Sequence, residues 1–226
     1  MFPTFDIAEI AEEAAERAGI DFRAGYALRT ARRSIELLSI EWGNRGLNLW
    51  TVEADEVPLV PGVDEYFLDT DTIDLLEHNL RTYDQDLRPT DFPLARLSMS
   101  EFAVIPSKTN QGRPTSIHIK RKITPSFLLW PVPPNPPNAT YSVVYLRMRR
   151  MASVGQGGTG EPELPFRFVP AMVAGVAYYL AAKSKDPDAQ QRVPMLKAAY
   201  EEQFTLASDE DRDRAPVRWV PWSYLY

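Results

Sequence analysis

The spacing of apolar residues changes twice along the 226-residue chain, and this predicts an α+β fold. N- and C-terminal helices are expected to pack as one helical bundle, with an antiparallel β-rich module inserted between them. Three observations carry the expectation. Apolar residues recur every three to four positions over Asp6–Arg17 and Tyr26–Trp42. The middle of the chain reads as short alternating or β-branched runs cut by turn residues. Helical patterning then returns from Phe166 to Leu206. The expected divisions are 1–46 for the N-terminal helices, 47–154 for the β-rich module, 155–208 for the C-terminal helices and 209–226 for an extended aromatic arm. The 20 prolines fit a chain of short elements with many breaks.

In the first helix Ile7, Ile10, Ala11, Ala14 and Ala18 share one face, with Glu9, Glu12, Glu13 and Glu16 largely opposite. Gly19 is placed to end it. The second helix carries a stripe of Leu28, Ala31, Ile35, Leu38 and Trp42. Arg29, Arg32, Arg33 and Glu36 lie off that stripe, and Gly43 and Gly46 are expected to end the helix. Arg32 and Glu36 stand four apart and are expected to pair weakly. The three arginines suit either contact with DNA or, more commonly, a solvated face.

From Leu47 to Val60 the pattern becomes strand-like, with Leu47, Leu49 and Thr51 on one parity and Trp50 and Val52 on the other. Gly62 opens a turn before Glu65–Leu68, which suggests a hairpin. Thr72–Arg81 fits both periods, because Ile73, Leu75, Leu76 and Leu80 obey neither cleanly; it is assigned to strand. The stretch from about Asp91 to Arg150 organises the rest. Ser98 and Glu101 have the capping-box spacing for a short helix that Pro106 stops. Gln111-Gly112-Arg113-Pro114 is turn chemistry. Ile117, Ile119 and Arg121 alternate with His118 and Lys120, Phe127–Trp130 is a short apolar run, and Tyr141–Met148 is β-branched and aromatic. The prolines between Pro131 and Pro137 cannot donate ladder bonds and predict an extended connector.

Blocks of this stretch resemble a known family. A helical ARRSIELLSIEWGNRGLNLWTVE segment is followed by EFAVIP with GRP, then LLWPVP, then a strand ending in basic residues. Their order, over most of Ala24–Met151, is similar to the head-to-tail adaptor proteins of short-tailed bacteriophages, also called tail accessory or packaged-DNA-stabilisation factors. The resemblance implies a structural virion protein at the head–tail junction, assembled in the host cytoplasm. It implies a homo-oligomeric ring of about twelve subunits that binds the portal protein and extends the DNA channel. A tail nozzle or tail-tube protein would dock beneath it, and double-stranded DNA would pass through without sequence-specific binding.

Composition and missing motifs point the same way. The formal charge of −6 suits a surface that DNA passes without sticking, although mild acidity by itself more often reflects solubility. With no cysteine there is no disulfide, thiolate nucleophile or cysteine-held zinc. The N-terminal stretch lacks the basic and apolar regions of a signal peptide, and Phe166–Ala182 is too short and interrupted for a membrane span. His78 and His118 have no second ligand at metal spacing and are expected at the surface. Asp69, Asp71 and Asp74 lack the remainder of a calcium loop. The Gly155–Gly160 run is followed by Glu161 and Glu163, which would repel phosphate, so it reads as a linker. No catalytic residue, metal or cofactor is assigned, and the chain is not expected to be an enzyme.

The last residues, from Arg214 onward, hold Trp219, Trp222, Tyr224 and Tyr226 among prolines that forbid a regular helix. Such aromatics must dock, on their own subunit or on a neighbour. Arg214, these four residues and Trp130 are the candidate protein-interface residues. The alternative is a monomeric carbohydrate- or peptide-binding module with a groove of Trp130, Tyr141, Tyr145 and the proline loop. A cell-wall hydrolase of the tail is a third, weaker reading.

Overall fold

The computed structural model describes residues 5–21, 26–46, 49–83, 88–134, 140–151 and 162–211, with the backbone alone at 26 and 27. In chain order the elements are α1 (Ile7–Ala18), α2 (Tyr26–Arg45), β1 (Val52–Pro58), β2 (Glu65–Phe67), β3 (Thr72–Tyr83), β4 (Pro89–Pro93), β5 (Ala95–Arg96), α3 (Met99–Val104), β6 (Ser116–Lys120), β7 (Ser126–Trp130), β8 (Tyr141–Arg149), α4 (Val169–Lys183) and α5 (Pro187–Glu210). The chain divides into two units, residues 1–38 with 153–226 and residues 39–152.

The first unit is helical. Asp6 caps α1 by accepting from the Glu9 amide at 2.7 Å, and Glu9 reaches back to the Asp6 amide at 2.9 Å. Gly19 ends the helix at φ 72°, in the left-handed region where glycine alone is unstrained. The predicted inner face, Ile7, Ile10, Ala11, Ala14 and Ala18, is fully buried. Its small alanines let α1 lie close against α4.

Helix α4 is apolar nearly all round, with Ala171–Ala177, Leu180 and Ala181 buried, and it is sheathed by α1 and α5. Pro170 stands in its first turn, where no amide partner is lost. Ala31, Ile35 and Leu38 of α2 are fully buried, and Leu38 lies against Gly175 of α4. Leu196 and Tyr200 carry the predicted stripe of α5 into this core, while Val193 and Phe204 are half-buried. Tyr178 stacks on Tyr200 at 6.4 Å between ring centres, and Phe168 meets Phe204 edge-on at 6.4 Å.

Two helix boundaries differ from expectation. Gly43 lies inside α2, which runs on to Arg45, and only Gly46 follows its end. The glycine costs about 1 kcal/mol relative to alanine. Fully buried Trp42 beside it and the Glu41–Arg45 ion pair across it hold the turn together. Helix α5 is longer than the expected Ala189–Leu206. Pro187 opens it at the first position instead of separating it from α4, and Pro194 sits in its interior. Pro194 and Gln190, whose carbonyl it frees, are both exposed, so water can satisfy that carbonyl.

The second unit is a pair of four-stranded sheets, ordered β1-β8-β3-β4 and β2-β7-β6-β5. All pairings are antiparallel except the two-residue contact of β5 with β6, because the chain passes through α3 and a loop before returning in the same direction. Side chains from both sheets share one core. Leu75, Leu80, Tyr141, Val143 and Tyr145 come from one sheet, and Tyr66, Ile117, Phe127 and Leu129 from the other, the arrangement of two inner faces packed together. Tyr66 stacks on Phe127 at 5.3 Å, and Phe127 meets Tyr145 edge-on at 6.3 Å.

Here too the register refines the expectation. Leu49–Thr51 is a single 3-10 turn, so the strand begins at Val52. Strands β1 and β2 do not form a hairpin; they belong to opposite sheets. The turn between them, with Gly62 at φ 80°, is held by the Tyr66 hydroxyl, which accepts from the Val60 amide at 2.9 Å and donates to the Val60 or Val63 carbonyl. Strand β3 carries two register irregularities against β8, between Thr72 and Asp74 and between Leu75 and Glu77. Each flips side-chain parity, which is why its apolar spacing obeys no single period. The proline connector leaves β7 through a cis Trp130–Pro131 bond, and residues 135–139 lie outside the described residues. So does the whole Gly155–Gly160 run, which the sequence assigns to a linker.

One consequence is testable. A Cβ at Gly175 would stand 2.9 Å from Leu38 Cδ1 and 3.1 Å from the Tyr200 ring. Gly175→Ala is expected to destabilise the protein by about 1–3 kcal/mol through overpacking, despite its better helix propensity. Urea unfolding of the two proteins measures this, and a stabilised variant would contradict the packing described.

Candidate assembly surfaces

The inner face of β8 changes character along its length. Tyr141, Val143 and Tyr145 enter the core, and two residues on, at the same parity, come Arg147 and Arg149. These guanidiniums gather three carboxylates from two segments, β1 and the turn before β3. Arg147 reaches Glu53 at 3.0 Å, Asp71 at 2.9 Å and Asp69 at 3.2 Å, and Arg149 Nε donates to Glu53 at 2.6 Å. The Tyr145 hydroxyl donates to Asp55 at 3.1 Å where the core ends. Burial, with Asp55 beside it, pushes the Tyr145 phenol well above its ordinary range. Hydrogen bonding from Arg149, helped by Arg147, holds the Glu53 carboxyl below its usual value.

A second network crosses the outer face of the same sheet. Arg81 donates through Nε and Nη2 to both oxygens of Asp91, each at 2.8 Å, and through Nη1 to Glu56 at 3.1 Å. Tyr83 donates to the other Glu56 oxygen at 2.9 Å. Arg81 lowers the Asp91 carboxyl; at Glu56 burial opposes ionisation, but the bonds from Tyr83, Ser142 and Arg81 outweigh it. These contacts tie edge strands β1 and β4 to the sheet centre, and prolines at both ends of β4 deprive that edge of two amide donors.

The segment around α3 is exposed yet braced from several sides. Ser98 and Glu101 form the predicted reciprocal cap. Lys108 Nζ donates to the Ala103 and Ile105 carbonyls at 3.1 Å each, closing the C-terminal end. Trp130 Nε1 donates to the Ser107 carbonyl at 3.0 Å. Phe102 stacks on His118 at 5.3 Å, whose Nδ1 lies 3.0 Å from the Leu97 carbonyl. Arg113 lies 3.7 Å over the Phe92 ring. Yet α3 buries none of its residues: Met99 is 79% exposed and Val104 78%. An apolar tip held this rigidly can bind a partner with little ordering cost. At the β6–β7 turn Ile123 is 97% exposed beside Arg121 and Lys122, and Phe67 of β2 is 68% exposed.

In the helical unit, Arg29, Arg32, Arg33 and Glu36 of α2 line a cleft of about 220 Å³. Arg32 Nε stands 3.5 Å from Glu36 Oε1, the pair expected from their spacing. Lys183 Nζ donates to Ser34 Oγ at 3.0 Å, and burial followed by the Arg33 charge lowers its pKa.

Of the interface residues named from the sequence, Arg214, Trp219, Trp222, Tyr224 and Tyr226 lie outside the described residues. Trp130 is described, and it braces the α3 loop. It forms no groove with Tyr141 and Tyr145, which are buried in the sandwich core at 7% and 3% exposure. His78 and His118 are half-buried rather than at the surface, because His78 stands opposite the core residue Tyr145 in the β3–β8 register and the Phe102 ring covers His118; burial lowers the His78 pKa. Among the described residues no group of three His, Asp or Glu could hold a metal ion, and no helix is long and apolar enough to cross a membrane. The α3 tip and the Arg147 network were missed from the sequence. The Ser98/Glu101 cap beside unburied apolar residues was the one signal for the tip.

The family model described as SU10 adaptor protein matches residues 6–220. The chain belongs to the SU10 adaptor protein family. The phage head-to-tail adaptor family expected from the ordered blocks is therefore the right one, and the match extends beyond those blocks into α1, α4 and α5. Among the curated proteins compared, none matches the chain. The rigid α3 tip and the charge-tied sheet are features of this adaptor's own surface.

The ion networks predict an acid-sensitive adaptor. Glu53, Glu56, Glu65 and Asp91 all have folded-state pKa values below the ordinary ones, so the unfolded chain binds more protons. Their contribution is whole above the ordinary carboxylate range and is lost as pH falls through it, from about pH 5 downward. The melting temperature is expected to fall between pH 6 and about pH 3.5. Arg147→Met is expected to cost about 1–3 kcal/mol at neutral pH and to flatten the acid dependence. Calorimetry across that pH range checks both, and a pH-independent melting point would refute the account.

Proposed function

We propose that this chain is a structural virion component that sits at the head–tail junction as a ring of about twelve subunits. In this reading it binds the portal after DNA packaging, extends the DNA channel and offers a docking platform to the next tail component. The observation that carries the reading is the adaptor-family match over residues 6–220. The preorganised α3 tip supports it, because a platform of repeated rigid knobs suits a partner that arrives as a ring. Each copy needs only a weak contact, since a ring engages all its copies at once and gains avidity from them. The chain would work without bond-breaking chemistry, in the virion, after assembly in the host cytoplasm. Double-stranded DNA would pass the lumen without sequence-specific contact.

The aromatic arm beyond Arg214 is assigned in this proposal to a neighbour, as the portal- or subunit-binding segment. Removing residues 215–226 is expected to leave the melting transition of the helical unit in place and to weaken assembly on the portal by about tenfold or more. Light scattering and electron microscopy of purified chain, alone and mixed with portal oligomers, test both statements. A solitary monomer that ignores the portal would refute the adaptor reading, and a truncated chain that unfolds would place the arm in the subunit's own core.

A further inference from the structure

We propose that neighbouring copies meet where the Arg33–Lys183 cation pair of one helical unit receives the Glu202 carboxylate of the next, with Leu37 laid against Leu206. This contact rests on the ring reading above and specifies its lateral surface.

Packing of α2 on α4 brings the two cations together. Ser34, the residue after Arg33, is fully buried; its hydroxyl donates to the Thr30 carbonyl at 3.0 Å and accepts from Lys183 Nζ at 3.0 Å. The ammonium is thereby fixed near Arg33, with its nitrogen 5.6 Å from the centre of the Tyr179 ring. Burial, and then the Arg33 charge, depress its pKa. Among the described residues no carboxylate pairs with either cation, and the nearby Glu36 is paired with Arg32 at 3.5 Å. Two of the three ammonium donors and the Arg33 fork therefore stay unspent among the described residues. Leu37, one turn on from Arg33, is 47% exposed.

Helix α5 carries the complement. Leu196, Tyr200 and Ala207 are buried on one side, while Glu202 and, one turn on, Leu206 at 57% are exposed. Glu202 has no cation partner among the described residues. Arg33–Leu37 and Glu202–Leu206 have the same four-residue spacing, so one side-by-side placement sets carboxylate on cations and leucine on leucine. The shared carboxylate would accept charge-assisted bonds from ammonium and guanidinium at once. A DNA backbone offers anions but nothing apolar for Leu37, whereas a second copy offers both. The surfaces lie on different helices of one chain, so the contact is heterologous. Contacts of that kind propagate and close into rings, whereas a self-complementary patch stops at a dimer.

Charge reversal tests this. Arg33→Glu and Glu202→Arg, each alone, set like charges against each other, and association is expected to weaken about tenfold or more. The double variant restores an opposite pair and is expected to recover the ring. The readout is oligomer mass by light scattering, with circular dichroism checking the fold. For the unaltered chain, raising salt from about 0.05 to 0.5 M is expected to shift the ring toward smaller species, a measurement that needs no variant. A ring indifferent to the single reversals and to salt overturns this contact and leaves the adaptor reading intact. Folded single variants that lose the ring without recovery in the double variant also overturn it. So does an Arg33→Glu chain that keeps the ring and loses only retention of DNA, which would give the cations to nucleic acid. A wild-type chain that forms no ring, with or without portal, overturns both.

Discussion

Strand β8 has to serve two environments along one face, and the second unit is arranged around that constraint. Tyr141, Val143 and Tyr145 face the sandwich core; Arg147 and Arg149, at the same parity, face carboxylates. A guanidinium this close to a core is tolerable only where carboxylates reach it from several directions. Glu53 comes from β1, and Asp69 and Asp71 from the turn before β3, so the same contacts also hold those segments to β8. The Arg150 amide and guanidinium add bonds to the Asp71 and Thr70 carbonyls. The Tyr145–Asp55 bond marks the boundary, with an apolar ring on one side and a charged acceptor on the other.

The helical unit solves a different problem. Helix α4 has no polar face, so it must be enclosed by other helices. Alanines on α1 permit close approach, Gly175 admits Leu38 and Tyr200, and the aromatic ladder of Tyr178, Tyr200 and Phe204 fills the α5 side. Apart from Lys183 in the last turn of α4, the described helical charge of this unit lies on the enclosing helices. Their outer faces can vary without disturbing the packing, which is where an assembly protein needs freedom.

An adaptor is judged by what it holds in place, and both units spend their polar groups on rigidity. The charged side chains of the sheet networks tie strands together. Trp130 and Lys108, which a sequence reader would assign to ligand contact or solvent, bond to backbone carbonyls that position α3. Among the exposed apolar residues, Met99 and Val104 stand on this braced segment. Preorganised apolar contacts of this kind suit docking between large particles.

The sequence by itself determined what depends on neighbours within about four residues. The cap at Ser98, the αL glycine at 19, the buried stripes of α1 and α2, the Arg32–Glu36 pair and the alternation along β6 are all local, and each was legible. The family was legible from ordered blocks rather than from any site. Tertiary structure decided what depends on distant partners. It sent β1 and β2 to different sheets, because the turn that Tyr66 pins between them carries the chain across the sandwich. It placed two register shifts in β3, which the strand opposite imposes and which no single period can encode. It ran α2 through Gly43 and α5 through Pro194, where burial and exposure outweigh the local cost. It also drew Tyr141 and Tyr145 inward and gave Trp130 a bracing role, because burial of a large aromatic is settled by which sheet face meets another, a choice made across more than a hundred residues of chain.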